Sequence, residues 1–225
     1  MKDLKLILIS DTHCRHNDGT IEVPEGDFVI HCGDVSMNGK EDQIIDFCDW
    51  FGSLPHTHKI MIPGNHDFLF EKEYLKSKNI TDSRGIHLLI DNGIEIEGIK
   101  FWGSPITPWF HNWAFNRFRG SSIEHHWNKI PEDIDVLITH GPPANLGNDL
   151  GKILEGEDVG CEDLYKAIKR KKPKLNCFGH IHEGYGTYSD SETLYVNCSI
   201  LNRKYVPTND PISVTYREGR FFINL

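Results

Sequence analysis

A short apolar run gives way to glycine and polar side chains in the segment Lys59-Ile60-Met61-Ile62-Pro63-Gly64-Asn65-His66-Asp67. The apolar part, Lys59–Ile62, has the length and the bounding turn residues of a buried β-strand. The polar part contains three side chains that can bind a metal ion or take part in proton transfer: Asn65, His66 and Asp67. We therefore predict a strand that presents functional groups at its carboxyl end.

The same arrangement recurs along the chain. Other short apolar runs lead directly into potential metal ligands: Lys5–Ile9 into Asp11-Thr12-His13, Phe28–His31 into Gly33-Asp34, Val136–Thr139 into His140-Gly141-Pro142-Pro143, and Leu175–Phe178 into Gly179-His180-Ile181-His182. Ligands bind at the carboxyl ends of strands in open α/β sheets, so we expect these clusters to converge on one edge. In extended backbone, residues i and i+2 point to the same side, so Asp11 with His13, and His180 with His182, can each present two ligands together.

The remaining pattern predicts a layered α/β sandwich. Further candidate strands are His87–Ile90, Lys100–Trp102, Thr193–Asn197 and a terminal hairpin from Ile212–Tyr216 to Arg220–Asn224. Apolar residues at helical spacing predict helices over Glu41–Phe51 and Cys161–Lys171. Strands alternate with helices early in the chain and hairpin-like strands follow late, which is typical of stacked layers. Because no repeat or linker divides the sequence, we predict a single domain over residues 1–225.

Composition restricts the partners. Hydrophobic residues make up 38% of the chain, enough for a substantial core, and the formal net charge is −9. A negative protein is poorly suited to wrap nucleic acid, because that affinity rests on Lys and Arg. The basic run at residues 169–174 is better explained as cations at a helix C-terminus. A small phosphorylated substrate remains compatible, since bound divalent cations invert the charge within a site.

Targeting and redox signals favour a cytoplasmic protein. The first nine residues contain charges and read as a strand rather than a signal peptide. No run approaches the ~20 apolar residues that a membrane helix needs. The six cysteines are scattered, with no pair at Cys-x-x-Cys spacing, so we expect reduced thiols.

The residue types at the predicted edge suit phosphate-ester hydrolysis by two metal ions. Two divalent ions roughly 3.5–4 Å apart neutralise the phosphate charge and generate hydroxide near neutral pH. Imidazole combined with carboxylate suits Mn²⁺, Fe or Zn²⁺, whereas Mg²⁺ prefers oxygen ligands. A bridging carboxylate is needed at that spacing, and Asp34 is the natural candidate. Asn65 is a neutral ligand, which keeps the second metal position from carrying too much negative charge.

Taken together, the five clusters resemble the signature of the calcineurin-like metallophosphoesterase superfamily: Asp-x-His, Gly-Asp, Gly-Asn-His-Asp/Glu, a lone His and Gly-His-x-His. The resemblance spans Asp11 to His182 and implies a four-layer α/β/β/α sandwich. The segments 103–110, 139–143 and 182–186 also look like the subfamily of metallophosphoesterase-domain-containing proteins. Some of those members carry Gly where this chain has His180, which weakens their second metal site. Since this chain keeps the His, we expect an intact dinuclear centre.

The resemblance implies a role for each ligand. One metal ion is assigned to Asp11, His13, Asp34 and His182, and the other to Asp34, Asn65, His140 and His180. His66 is assigned as the catalytic acid that protonates the leaving oxygen, and Asp67 as the group that orients it. Because Asn65 and His66 are consecutive, extended backbone would make their side chains diverge and place His66 outside the metal ligands.

Substrate contacts are less tightly specified. The aromatic stretch Trp109, Phe110, Trp113, Phe115 and Phe118 suits either core packing, which we favour slightly, or a wall against a substrate ring. Arg117 or Arg119 can reach a phosphate from this stretch, and His111 is a further candidate contact. The predicted substrate-binding set is therefore Asn65, His66, His111 and Arg117.

Three functions remain open. The leading hypothesis is a phosphodiesterase for a small substrate such as a cyclic nucleotide, because residues 63–67 resemble the cyclic-nucleotide phosphodiesterase branch. The enzymatic alternative is a phosphomonoesterase or phosphoprotein phosphatase. The phosphoprotein phosphatase branch carries an Asp-Arg pair where this chain has Val35-Ser36-Met37-Asn38. The third is a nucleotide-binding protein without turnover, which would be expected to have a broken ligand set.

Overall fold

Two six-stranded β-sheets form the centre of the fold, in a computed structural model that describes residues 2–146, 149–153 and 156–224. The first sheet has the order β14-β13-β1-β2-β3-β4, formed by Arg220–Ile223, Ile212–Arg217, Leu4–Ile9, Phe28–His31, His58–Met61 and Ile86–Leu88. The second has the order β11-β12-β10-β9-β6-β5, formed by Gly186–Ser189, Leu194–Asn197, Leu175–Phe178, Val136–Thr139, Ile99–Ser104 and Asn92–Ile96. Thr107–Pro108 (β7) and Asn116–Arg117 (β8) form a small separate pair.

Helices lie between the strands in sequence. They are α1 Glu41–Ser53, α2 Phe68–Lys72, α3 Tyr74–Asp82, α4 Ser121–Trp127 and α5 Glu162–Lys171, with a short 3₁₀ helix at His182–Gly184. Among the described residues, none of these helices is both long and apolar enough to cross a membrane.

Alternation along the strands separates two apolar clusters. In β1, Leu6 and Leu8 pack in a cluster with Val136 of the second sheet, so this cluster lies between the sheets. Their neighbours, such as Ile7, belong to the other cluster together with Phe47 of α1. Successive strand residues point to opposite faces, so one set of side chains joins the sheets and the other holds the helices. The expected α/β/β/α sandwich is confirmed.

Parallel pairing sets the position of the functional edge. Strands β1 to β4 are parallel to one another within the first sheet, as are β6, β9, β10 and β12 within the second. The carboxyl ends of each parallel set therefore meet at one edge. Strand β13 pairs antiparallel with β1, so strands near both ends of the described chain belong to the same sheet.

Several elements differ from the sequence-based prediction. The edge strands β5 and β11 were missed because their residues alternate between exposed and half-buried and lack an apolar run. Helices α2 and α4 were missed because they are only 5 and 7 residues long. Helix α3 buries Ser77 and Thr81 rather than large apolar side chains, so it shows little helical hydrophobic periodicity.

Candidate metal centre

The seven predicted metal ligands come from both sheets. The first sheet contributes the residues after β1, β2 and β3, namely Asp11, His13, Asp34 and Asn65. The second contributes the residues after β9 and β10, namely His140, His180 and His182. Three groups have ligand atoms within 4.8 Å of one another: Asp11 with His13 and His182, Asp34 with His140 and His180, and His13 with Asp34 and His66. The strand ends therefore assemble one cluster, as expected.

Asp34 lies at the centre of this cluster. Its Oδ2 atom is 3.6 Å from His13 Nε2 and 3.3 Å from His140 Nε2. Its Oδ1 atom accepts a hydrogen bond from the backbone N–H of His66 at 2.8 Å. Asn65 approaches the same side, with Oδ1 2.9 Å from His140 Nε2. One carboxylate thus lies between both groups of imidazoles, an arrangement that suits a bridging ligand.

Backbone carbonyls orient four of the imidazoles. In each case Nδ1 donates a hydrogen bond to a main-chain oxygen: His13 to Ser36 at 3.1 Å, His66 to Met37 at 2.7 Å, His140 to Cys32 at 2.9 Å, and His182 to Asn202 at 3.1 Å. Such bonds fix both the tautomer and the ring orientation of metal-binding histidines. The Nε2 atoms are left to face the cluster.

Two buried polar atoms of the cluster fit a cation. Asp11 Oδ1 and His13 Nε2 are buried without a hydrogen-bond partner. The other carboxylate oxygen, Asp11 Oδ2, accepts from the backbone N–H of His180 and from Ser199 Oγ, both at 2.9 Å. Buried polar groups are normally paired, so an unpaired oxygen beside an unpaired imidazole nitrogen is the arrangement that a metal ion completes.

Charges within the cluster are strongly coupled. Burial opposes ionisation of Asp34, but the imidazoles of His140, His66 and His13 together outweigh it and hold the pKa of Asp34 below its ordinary value. Burial also disfavours the charged form of His140, yet the Asp34 carboxylate raises the pKa of His140 to about 9. For His13, burial dominates and lowers the pKa to about 4. The carboxylate is thus kept ionised, as a metal ligand must be.

Local backbone geometry differs from the extended form that was predicted. Asp11, His13, Asp34 and His180 all have positive φ, at 56°, 39°, 56° and 67°. Positive φ is uncommon for residues other than Gly and clusters at functional sites. Asp11 and His13 do lie together, but tight turns rather than strand alternation bring them there. His180 and His182 fall into separate ligand groups.

The position of His66 also corrects a prediction. Residues 65 and 66 lie in a turn, with the N–H of Asp67 donating to the carbonyl of Gly64 at 3.2 Å. The side chains of Asn65 and His66 therefore do not diverge as they would in a strand. His66 Nε2 lies 4.0 Å from Asp34 Oδ2, inside the cluster, so its geometry suits either a metal ligand or an acid beside the metals.

Asp67 does not orient His66 as predicted. Its carboxylate accepts hydrogen bonds from the backbone N–H groups of Val35, Ser36 and Gly64 and from Ser36 Oγ. His66 Nδ1 donates to the Met37 carbonyl instead. Burial, followed by the nearby Asp34 charge, raises the pKa of Asp67 to about 6. Asp67 thus ties the turn after β3 to the turn after β2, and Met37 orients the imidazole.

Of the four predicted substrate residues, Asn65 and His66 follow β3 in the cluster, whereas His111 and Arg117 lie on the segment between β6 and α4. His111 is exposed and its ring contacts that of Phe110, while the Arg117 guanidinium donates to Glu71 and to the carbonyl of Asn116. The aromatic side chains of this segment do not share one environment. Phe115 is buried, Trp113 is half-buried, and Trp109, Phe110 and Phe118 are exposed. Core packing, the interpretation favoured from sequence, is thus wrong for the three exposed rings.

Two residues outside the predicted set of site residues contact the cluster. The Tyr205 ring lies 4.8 Å from that of His13 and 5.3 Å from that of His182, centroid to centroid. A cavity of about 180 Å³ beside the ligands is lined by His180, His182, Glu183, Arg203 and Tyr205. Trp113 stacks on His66 at 4.2 Å. Trp113 is part of the aromatic stretch that the sequence analysis describes. Tyr205 lies after the last predicted motif, and no sequence pattern marks it as a site residue.

Metal-dependent phosphoesterases combine an α/β/β/α sandwich with an edge cluster of this composition, and this class is the one that the fold and the site define. The chain belongs to the calcineurin-like phosphoesterase family, whose profile matches residues 4–184. This family consists of phosphoric ester hydrolases that depend on a dinuclear metal centre.

Individual relatives agree with this assignment. The chain is 37% identical over 232 residues to human metallophosphoesterase domain-containing protein 1, covering 93% of this chain and 70% of the relative. Among solved structures, it resembles a phosphopantetheinyl hydrolase from Mycobacterium tuberculosis, with a TM-score of 0.62, 15% identity and coverage of 89% and 90% of the two chains. It also resembles a dimetal phosphatase from Danio rerio, with a TM-score of 0.53, 12% identity and coverage of 96% and 93%. These two similarities support the fold.

Proposed function

We propose that this protein hydrolyses a small phosphodiester in the cytoplasm and that it uses Mn²⁺ as its metal. A cyclic nucleotide is the leading candidate for the substrate. The observation that carries the proposal is the unbroken ligand set around Asp34, with His66 beside it. A protein that only bound a nucleotide would not need to retain all seven ligands. Two divalent ions held by these side chains would neutralise the phosphate and lower the pKa of a bound water.

His66 is proposed to act as the acid for the leaving group. Its Nδ1 atom is engaged with the Met37 carbonyl, so Nε2 is the atom that faces the cluster. The side chain is 13% exposed, which leaves it accessible from the substrate side but largely shielded from water. From this position, the Nε2 proton can pass to the ester oxygen as its bond to phosphorus breaks.

Surface charge supports a small substrate over a polynucleotide. The four lysines in the basic run at residues 169–174 each contact a carboxylate: Lys169 with Asp190, Lys171 with Glu132, Lys172 with Glu192, and Lys174 with Asp135. These cations are already engaged by neighbouring acids, which weakens the run as a phosphate-backbone contact. The backbone N–H groups of Val35 and Ser36 donate hydrogen bonds to the Asp67 carboxylate. These two residues stand where phosphoprotein phosphatases carry an Asp-Arg pair, and this chain lacks that pair.

A substrate series with the variant His66→Ala tests this proposal. Purified protein with Mn²⁺ is assayed against 3′,5′-cyclic AMP, bis(p-nitrophenyl) phosphate, p-nitrophenyl phosphate and a phosphopeptide. We expect the diesters to be the best substrates. We expect His66→Ala to lower kcat for cyclic AMP by about 10²–10⁴-fold. The loss should be smaller for p-nitrophenyl esters, whose leaving groups need little protonation.

Metal content and a control variant complete the test. Two ions per chain in His66→Ala would support the acid role, whereas loss of one ion would identify His66 as a ligand. His125→Ala, at an exposed histidine of α4, should behave as wild type. Preference for the monoester or the phosphopeptide would contradict the diester assignment. Tight nucleotide binding without turnover of any ester would favour the binding-protein alternative.

A further inference from the structure

The His66 imidazole is packed against two aromatic rings. The Trp113 indole lies 4.2 Å from it, centroid to centroid, at an interplanar angle of 29°, which is a stacked arrangement. The His13 ring contacts it edge-on, at 4.7 Å and 84°. A ring held only by the hydrogen bond from Nδ1 to Met37 could still rock about that contact. Stacking on a flat indole restricts this motion and fixes the direction of Nε2.

The segment that carries Trp113 is anchored to the turn that carries His66. The N–H of Ala114 donates to the carbonyl of Asn65 at 3.1 Å, and Ala114 itself is fully buried. Phe68, at the start of α2, contacts the Trp113 ring, with the two centroids 5.9 Å apart. Three other rings of the same segment are exposed instead, namely Trp109, Phe110 and Phe118. Trp113 is therefore placed over His66 by main-chain contacts and not by chance contact of a surface side chain.

We propose that Trp113 is a positioning residue for His66, a role that rests on the function proposed above. The indole keeps the imidazole plane aligned so that Nε2 points to the side of the cluster where Asp34 Oδ2 lies, 4.0 Å away. Misplacement of a catalytic group by about 1 Å can cost about 10²-fold in rate. Because Trp113 acts through His66, its contribution is to turnover and not to substrate affinity.

Two substitutions at this position separate positioning from bulk packing. Trp113→Leu keeps apolar volume but removes the flat ring, and Trp113→Phe restores a ring that can stack. We expect Trp113→Leu to lower kcat for cyclic AMP by up to about 10²-fold with little change in KM. Trp113→Phe should recover most of that loss. Trp50→Leu is the matched control, because the Trp50 ring also contacts a histidine ring, that of His16, at 5.2 Å between centroids. This pair lies outside the site.

A double-variant cycle and an NMR measurement decide the assignment. If Trp113 acts through His66, the double variant His66→Ala with Trp113→Leu should be no slower than His66→Ala alone. The ring-proton resonances of His66, recorded on Zn²⁺-loaded protein because paramagnetic Mn²⁺ would broaden them, should also shift in Trp113→Leu, since the ring current of the indole is removed. Wild-type kcat in Trp113→Leu, a further loss in the double variant, or unshifted His66 resonances would each overturn the proposal. Absence of ester turnover in the wild-type protein would contradict the proposed function instead.

Discussion

At the scale of single residues, Asp34 links the two halves of the site. Its carboxylate faces His13 from the first sheet and His140 from the second, at 3.6 and 3.3 Å. The pKa of Asp34 is held low mainly because His140 opposes the effect of burial. A carboxylate shared in this way can bridge two cations, and its negative charge offsets their mutual repulsion. We therefore expect both metal positions to depend on it.

Asp34→Ala should reduce metal binding to at most one ion per chain. The substitution removes the shared oxygen atoms and leaves two cations without the charge between them. Elemental analysis of metal-loaded protein after desalting measures the stoichiometry, with circular dichroism as a check on folding. Asp46→Ala is the control, because that carboxylate also pairs with a histidine, His16, but lies outside the cluster. Two ions retained by Asp34→Ala would show that the bridge lies elsewhere.

At the scale of elements, the turns after the strands place the ligands. Gly179 follows β10 and packs where a Cβ atom would overlap Asp11 Oδ2 and Ser10 Oγ from the turn after β1. Strands of both sheets thus approach each other closely at the functional edge. A side chain at this position would push apart two of the turns that carry ligands.

Gly179→Ala should destabilise the protein and weaken metal binding together. Overpacking of this kind costs about 1–3 kcal/mol, and the displaced group here includes the ligand Asp11. Thermal unfolding gives the stability change, and titration with Mn²⁺ gives the affinity. Gly151→Ala is the matched control, since its added Cβ would meet other atoms at 3.4 Å or more. If Gly179→Ala bound Mn²⁺ like wild type, the close packing of these two turns would not matter for the site.

The sequence predicts strands better than the loops that complete the site. Strands β2, β9 and β10 have the bounds predicted from their apolar runs, because buried parallel strands carry a continuous hydrophobic signal. The candidate ligands were identified because they directly follow the ends of these apolar runs. Met37, Asn202 and Tyr205 lie in irregular segments, where no periodic pattern connects a residue to its neighbours in space. Their contacts with the histidines became visible only in three dimensions.

At the scale of the whole molecule, packing between the two sheets holds the site together. Four ligands follow strands of the first sheet and three follow strands of the second, so neither sheet can form the cluster alone. The apolar cluster between the sheets includes Leu8 and Val214 from one side and Ile138 from the other. The geometry of the metal centre therefore depends on a core that extends well beyond the functional edge.

Val214→Asp should unfold the sandwich and abolish metal binding with it. Val214 is fully buried between the sheets, and an unpaired carboxylate there should cost about 3 kcal/mol or more. Thermal unfolding followed by circular dichroism measures the effect. Thr215→Asp, at the neighbouring half-buried position on the other face of β13, should be much milder. Equal stability of the two variants would contradict the assignment of Val214 to the intersheet core.

We expect the phosphoesterase activity of this chain to depend on two metal ions held by one cluster. Reconstitution of metal-stripped protein tests it most directly: Mn²⁺ is titrated in while bound metal per chain and hydrolysis of bis(p-nitrophenyl) phosphate are measured on the same samples. We expect no turnover in the stripped protein, and activity that rises to its maximum as two ions per chain are bound. Full activity without metal, or saturation with two ions without any hydrolysis, would contradict this dependence of hydrolysis on two bound ions.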